Sequence, residues 1–209
     1  MPFRLACVQF HPEMGKVKHN LDRMAEIVRQ AVGEEGADLV AFPETSVSGY
    51  YVQGGACDVA MEPDEVRDGL AERLSGLGSH VDVLAGFYRK SSGEPFNSAG
   101  WFSFAPDAKT VAVYDKFFLA TYTVFDEDRY VSRGRELGVF DTRFGKVGLL
   151  ICEDTWHSIL GTLLALHGAQ IVFSLIASPG RGFQGKVPSN VDRYDRMLRA
   201  IAEEHGVYA

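Results

Sequence analysis

Apolar residues fall into short unbroken runs, separated by polar turns and by longer stretches of helical spacing. Arg4 to Phe10 (RLACVQF) reads as a buried first strand with Cys7 in the core. Leu21, Met24, Ile27, Val28, Ala31 and Val32 recur at helical intervals, which predicts a helix from an N-cap at Asn20 to about Glu35, stopped by Gly36. Asp38 to Phe42 (DLVAF) is the next strand. The opening is thus a strand–helix–strand unit, which implies parallel pairing and a right-handed crossover. Pro63 to Leu77 predicts a second helix, with Pro63 in its first turn and Val66, Leu70 and Leu74 on one face. Val81 to Tyr88 is a strand, and Asn97 to Phe104 pairs with Thr110 to Tyr114 as a hairpin. Val147 to Ile151, after the turn at Gly145, is a continuous apolar run of the kind buried on both faces. A helix over Ser158 to Leu166 and a buried strand over Gln170 to Ala177 follow. Ser189 caps a last helix, Val191 to about His205, with Val191, Tyr194, Leu198 and Ile201 facing inward. Gly206 stops it, and Val207-Tyr208-Ala209 has the pattern of the first residues of a strand.

Composition narrows the class. Hydrophobic residues make up 46% of the 209 positions and charged residues 23%, enough for a real core in one soluble domain spanning 1–209. A net charge of −7 without a Lys/Arg cluster argues against a nucleic-acid surface. No apolar run approaches the roughly 20 residues that span a bilayer. Met1-Pro2-Phe3-Arg4-Leu5 leads straight into a strand pattern, so no signal peptide is visible. Cys7, Cys57 and Cys152 show no C-x-x-C spacing, which fits a reducing cytoplasm and gives neither a disulfide framework nor a zinc site. The histidines lack ligand spacing too, and no metal or organic cofactor is expected.

The chemistry gathers at strand ends. Val147–Ile151 ends abruptly in Cys152-Glu153-Asp154, where open α/β sheets place their reactive groups. Backbone N–H groups at such a turn steady a thiolate or an oxyanion. Glu44 follows the Asp38–Phe42 strand, and Lys116 follows Thr110–Tyr114. These three strands are expected to be neighbours in one sheet. A thiol needs a base and a nearby positive charge to act at neutral pH; Glu44 supplies the first and Lys116 the second. No histidine sits in a comparable position. The loop from Phe117 to Gly134, rich in aromatic and charged residues, reads as a site wall. Gly180, Gly182 and Gly185 with Lys186 do not make a phosphate loop, because Val187 stands where Ser or Thr is needed.

Pro43-Glu44, Tyr114-Asp115-Lys116 and Leu150-Ile151-Cys152-Glu153-Asp154 resemble, in order, the three signature segments of the nitrilase, or carbon–nitrogen hydrolase, superfamily. The resemblance implies a four-layer α-β-β-α sandwich and hydrolysis of an amide, nitrile or carbamoyl group. In that scheme Glu44 is the general base, Lys116 the transition-state stabiliser and Cys152 the nucleophile. Lys116 to Glu127 looks like the lysine loop of the glutamine-hydrolysing domains of NAD synthetases, although Ala120 replaces the usual proline. Cys152 to Trp156 and Ala177-Ser178-Pro179 are similar to further segments of those domains. By the same likeness Tyr122, Glu153 and Ser178 hold the substrate amino acid, and Glu127 orients the lysine or the hydrolytic water. Tyr50, on the loop opened by Glu44, joins them as a substrate-binding candidate. Superfamily members continue past Val207 with further strands, so a truncated sandwich with an uncovered sheet edge is expected. No pyrophosphate loop of a synthetase half is present.

The implied partners are a small amide substrate of the glutamine ω-amide type, further copies of the chain, and an enzyme that accepts the ammonia. Two other readings stay open. One is a nitrilase, N-carbamoyl hydrolase or acyltransferase of the same superfamily. The other is a catalytically silent binding or assembly subunit, which the short C-terminus favours.

Overall fold

The computed structural model describes residues 2–50, 52–122, 125–182 and 188–209. Thr123, Val124 and the 183–187 stretch, with Gly185 and Lys186 of the glycine-rich turn, lie outside the described residues. The elements are β1 (Leu5–Cys7), α1 (Val17–Glu35), β2 (Leu39–Ala41), a short α2 (Ala56–Val59), α3 (Pro63–Arg73), β3 (Val81–Arg89), β4 (Phe96–Phe104), β5 (Lys109–Asp115), β6 (Val139–Thr142), β7 (Gly145–Ile151), α4 (Ser158–Leu166), β8 (Ile171–Leu175) and α5 (Ser189–His205). They build two sheets. One has the order β1-β2-β3-β4-β5, with β1, β2 and β3 parallel and the β3–β4 and β4–β5 pairs antiparallel. The other is β6-β7-β8, with β6 antiparallel and β8 parallel to β7.

Alternation along the strands assigns the layers, because successive side chains leave a strand on opposite faces. On the larger sheet Val40, Val83, Ala85, Phe102 and Phe104 pack under α1 and α3. Their neighbours Leu39, Leu84, Trp101 and Tyr114 face the other way, against Val147, Leu149, Ile151 and Phe173 of the smaller sheet. Leu150 and Val172 then turn outward to Leu160, Leu164 and Ile201 of α4 and α5. The result is the α-β-β-α sandwich that the resemblance implied.

Several local expectations are corrected. Asn20 does not cap α1, which starts at Val17. It is fully buried inside the helix, where its amide bonds the backbone of Glu13 (2.8 Å each way) and the Val47 carbonyl (3.0 Å). A polar side chain that ties two loops to a helix leaves the same sequence trace as a cap. The first strand is short, and its Cys7 is exposed rather than in the core, because β1 is an edge strand with its outer positions uncovered. The last helix begins at Ser189 itself, after Pro188. Val191 lies outward at 49% exposure, while Tyr194 and Ile201 are buried as expected. β6 was not foreseen: its four residues are partly exposed and are marked as a strand only by pairing with β7.

Tyr208 forms a parallel bridge to Ile171 on the outer side of β8, continuing the smaller sheet by a few residues. Between β1 and β8 the two sheets enclose an apolar trench of about 950 Å³, bordered by Phe3, Leu5, Phe144, Ile171 and Phe173. Among the described residues that line it there is no cluster of ionisable groups. Among the described residues no helix is long and apolar enough to cross a membrane.

Candidate active site

The topology explains how distant residues meet. β2, β3 and β5 run in the same direction, so Glu44 after β2 and Lys116 after β5 emerge at one edge of the larger sheet. β4 runs the opposite way, which puts its first residues, including Asn97, at that same edge. Cys152 arrives from the end of β7 in the facing sheet. The expectation of three neighbouring strands in one sheet is therefore wrong: β3 and β4 separate β2 from β5, and the thiol comes across the sandwich. Apolar runs mark strands as buried without saying which sheet they join.

Lys116 is fully buried, and its Nζ lies 2.8 Å from Glu44 Oε1 and 2.8 Å from Glu127 Oε2. Asn97 donates its amide N–H groups to both carboxylates, at 2.9 Å to Glu44 Oε1 and 2.9 Å to Glu127 Oε1. The backbone N–H of Ala177 holds Glu44 Oε2 at 3.0 Å, and that of Ala120 holds Glu127 Oε2 at 2.7 Å. Burial disfavours the ammonium, but the charges of Glu44 and Glu127 outweigh it, and Lys116 stays cationic with a pKa well above its ordinary value. Two acids around one base leave this buried cluster with a formal excess of one negative charge.

Close backbone approach fixes Glu44. A Cβ on Gly86 of β3 would lie 2.2 Å from the Thr45 nitrogen and 2.7 Å from the Glu44 Cα. Thr45 itself has φ 47°, a strained setting for a β-branched residue. Gly86→Ala is therefore expected to push the Glu44–Thr45 backbone aside, costing about 1–3 kcal/mol of stability and roughly tenfold or more in turnover. Thermal melting together with an activity assay checks this; wild-type values in both would show that Gly86 is not needed for the approach.

Cys152 also takes a positive φ of 47°, which turns it sharply off the end of β7. Its sulfur is buried and lies 3.2 Å from the Tyr194 hydroxyl. Burial raises the thiol pKa most, Glu44 raises it further, and Lys116 and the Tyr194 hydroxyl pull it back without reversing the shift. The thiol thus rests protonated within the fields of Glu44 and Lys116. The next acid but one, Asp154, is fully buried and stitches the two halves of the site together. It accepts from the backbone N–H groups of Phe117 (3.2 Å), Phe118 (2.8 Å) and Ile151 (3.0 Å) and from the Tyr114 hydroxyl (2.8 Å). Burial lifts its carboxyl to about 6, against the pull of those donors.

The remaining predicted residues have contacts of their own. The Tyr50 ring lies 5.7 Å from Lys116 Nζ and meets Phe125 edge-on. Tyr122 donates its hydroxyl to Glu153 Oε2 at 2.8 Å, and burial beside that carboxylate pushes the phenol up to about 12. Ser178 follows Ala177, whose N–H holds Glu44, and its hydroxyl oxygen accepts from Asn190 Nδ2 at 3.1 Å. Sequence reasoning missed Asn97, Tyr194 and the bracing role of Asp154. A lone asparagine opening an otherwise apolar strand was the one available signal for Asn97.

Residues 4–209 match the carbon–nitrogen hydrolase family. The chain belongs to that family. Among its family relatives is a glutamine-dependent NAD(+) synthetase from Acinetobacter baylyi, 34% identical over 179 residues, which are 85% of this chain and 32% of the relative. A probable nitrilase from Schizosaccharomyces pombe is 30% identical over 179 residues, 82% of this chain and 62% of that one. The glutamine-dependent NAD+ synthetase structure from Acinetobacter baumannii superposes with a TM-score of 0.80 at 29% identity, covering 98% of this chain and 37% of its own. An amidase from Nesterenkonia sp. AN1 shares the fold, with a TM-score of 0.78 at 22% identity over 99% of this chain and 76% of that one. This carbon–nitrogen hydrolase chain spans about a third of the length of the NAD synthetases it matches.

Proposed function

We propose that the chain is a thiol amidohydrolase that releases ammonia from a small ω-amide of the glutamine type, through a thioester on Cys152. The observation that carries this reading is the buried ammonium of Lys116, held by Glu44 and Glu127 at 2.8 Å each and close enough to Cys152 for its charge to act on the thiol. A cation sequestered at the end of one sheet, facing a thiol at the end of the other, suits a reaction in which negative charge develops between them.

In this scheme Glu44 takes the thiol proton as Cys152 attacks the amide carbon. Two ammonium protons of Lys116 are engaged by carboxylates; the third, with a backbone N–H beside Cys152, receives the oxyanion. Glu44 passes the proton to the leaving nitrogen, ammonia departs, and a water deprotonated by Glu44 resolves the thioester. Glu127 and Asn97 hold Lys116 and Glu44 in register throughout. The Glu153 carboxylate, which accepts from the Tyr122 hydroxyl, suits the α-ammonium of an amino-acid amide. Self-association and an enzyme that consumes the ammonia belong to the same proposal.

A panel of glutamine, short ω-amides, nitriles and N-carbamoyl compounds tests it. Ammonia with the matching carboxylic acid from the ω-amides is the expected result. Turnover confined to nitriles or carbamoyl compounds would replace the substrate class, and no turnover at all would leave the silent binding subunit.

A further inference from the structure

Tyr194 stands on α5, and among the described residues its hydroxyl has two hydrogen-bond partners: Cys152 Sγ at 3.2 Å and Trp156 Nε1 at 2.9 Å. An indole N–H only donates, so at Trp156 the phenolic oxygen is the acceptor. The single phenolic proton is then free for the sulfur. The reverse arrangement, with the thiol donating to Tyr194, would turn the S–H away from Glu44, and it is unavailable once the sulfur is ionised.

We propose that Tyr194 is a catalytic hydrogen-bond donor to the Cys152 sulfur, polarised by Trp156. The inference rests on the reading of Cys152 as nucleophile. With Tyr194 donating, the thiol proton is left to face Glu44, which removes it as the S–C bond forms; Tyr194 keeps its own proton throughout. A hydrogen bond to a thiolate is stronger than one to a thiol, so the interaction favours the ionised sulfur over the resting one. It acts twice, on the attacking sulfur and again when water displaces sulfur from the thioester. Burial holds the Tyr194 phenol above its ordinary range, with the charge at Cys152 adding to it, so it remains a donor across the working pH range. Tyr194 is 7% exposed, and its ring packs edge-on against Trp156 at 5.4 Å, which fixes the hydroxyl in place.

The ionisable groups whose charges act on the thiol, or that its charge acts on, are Glu44, Tyr50, Lys116, Tyr122, Glu127 and Tyr194. Of these, Tyr194 places its hydroxyl 3.2 Å from the sulfur, within hydrogen-bond contact. The test is iodoacetamide alkylation of the full chain at fixed pH values from 7 to 10, read site by site by mass spectrometry, in wild type and Tyr194→Phe. Because burial raises the thiol, the Cys152 midpoint is taken from how far its rate falls below those of the reference cysteines. The exposed Cys7 and Cys57 serve as internal references. The expected result is an upward move of the Cys152 midpoint by about one to two pH units, the size of a lost charge-assisted hydrogen bond. The reference cysteines should keep their rates, and kcat/KM on the accepted amide should fall about 10- to 100-fold with little change in KM. A purely packing role would leave the midpoint where it was. Should Tyr194→Phe fail to fold, Trp156→Phe removes the polarising donor without touching the sulfur and should move the midpoint the same way by a fraction of a unit. An unmoved midpoint in the folded Tyr194→Phe variant, or failing that in Trp156→Phe, overturns the proposal. If Cys152→Ala is inactive while that midpoint stays put, only the role of Tyr194 is lost; if Cys152→Ala still turns over, the nucleophile assignment goes first.

Discussion

Replacing Cys152 by alanine is expected to abolish ammonia release while leaving the protein folded. Loss of a covalent nucleophile lowers acyl-transfer turnover by roughly 10⁵-fold or more, because neither the oxyanion site nor the base has anything left to activate. The structural effect is small by comparison. The Cβ stays, so the positive φ of 47° at this position is no worse for alanine than for cysteine. What goes is one sulfur in a buried setting and its contact to the Tyr194 hydroxyl, which keeps its bond from Trp156. A stability loss within about 1–2 kcal/mol follows. Ammonia production and a melting curve on the same preparation separate the two effects. Turnover within tenfold of wild type in a folded Cys152→Ala variant would remove the thiol from the mechanism.

The contrast between what the chain spells out and what it hides has a physical origin. Leu21 to Val32, Val81 to Tyr88 and Val147 to Ile151 are visible because burial imposes a period of 3.6 or an unbroken apolar run. Such a run reports that both faces of a strand are covered, not by what. For β7 one cover is the other sheet and the second is α4 with α5, and the pattern matches that of a central strand in a single sheet. The partition into two sheets was therefore supplied by family resemblance rather than by periodicity. Edge positions fail for the opposite reason: Cys7 sits in an apolar sequence, yet among the described residues β1 has no strand beyond it. Glu44, Lys116, Glu127 and Cys152 were legible because chemistry restricts their types and motifs fix their places. Asn97, Asp154 and Tyr194 acquire their roles only from residues brought to them by folding, across sequence separations of 30 to 53 for Asn97 and 42 for Tyr194.

Lys116→Met should be the most destabilising single change at the site, as well as an inactivating one. Methionine keeps much of the side-chain length and fills the same space, so packing is largely retained and the charge is what disappears. Glu44 and Glu127 are then left in a dry pocket with Asn97 and two backbone N–H groups as their donors. Stripping one partner from a buried ion pair costs about 3–5 kcal/mol, because the surviving charge is desolvated without compensation. For a chain of this size that corresponds to a fall of roughly 6–20 °C in melting temperature. The sign with pH follows from the lysine. Its folded pKa lies above the ordinary 10.5, so the ammonium's stabilising share is complete below that value and is lost only as pH rises beyond it. The penalty should therefore be seen in full at neutral pH. Adding Glu127→Gln to Lys116→Met removes one stranded carboxylate and should recover part of the lost stability with none of the lost turnover, since the oxyanion still has no cation. Paired melting and ammonia-release measurements on the single and double variants check both halves. A Lys116→Met variant that melts within about 2 °C of wild type would mean that the ammonium does not hold the two carboxylates together. Retained ammonia release would mean that the oxyanion rests elsewhere.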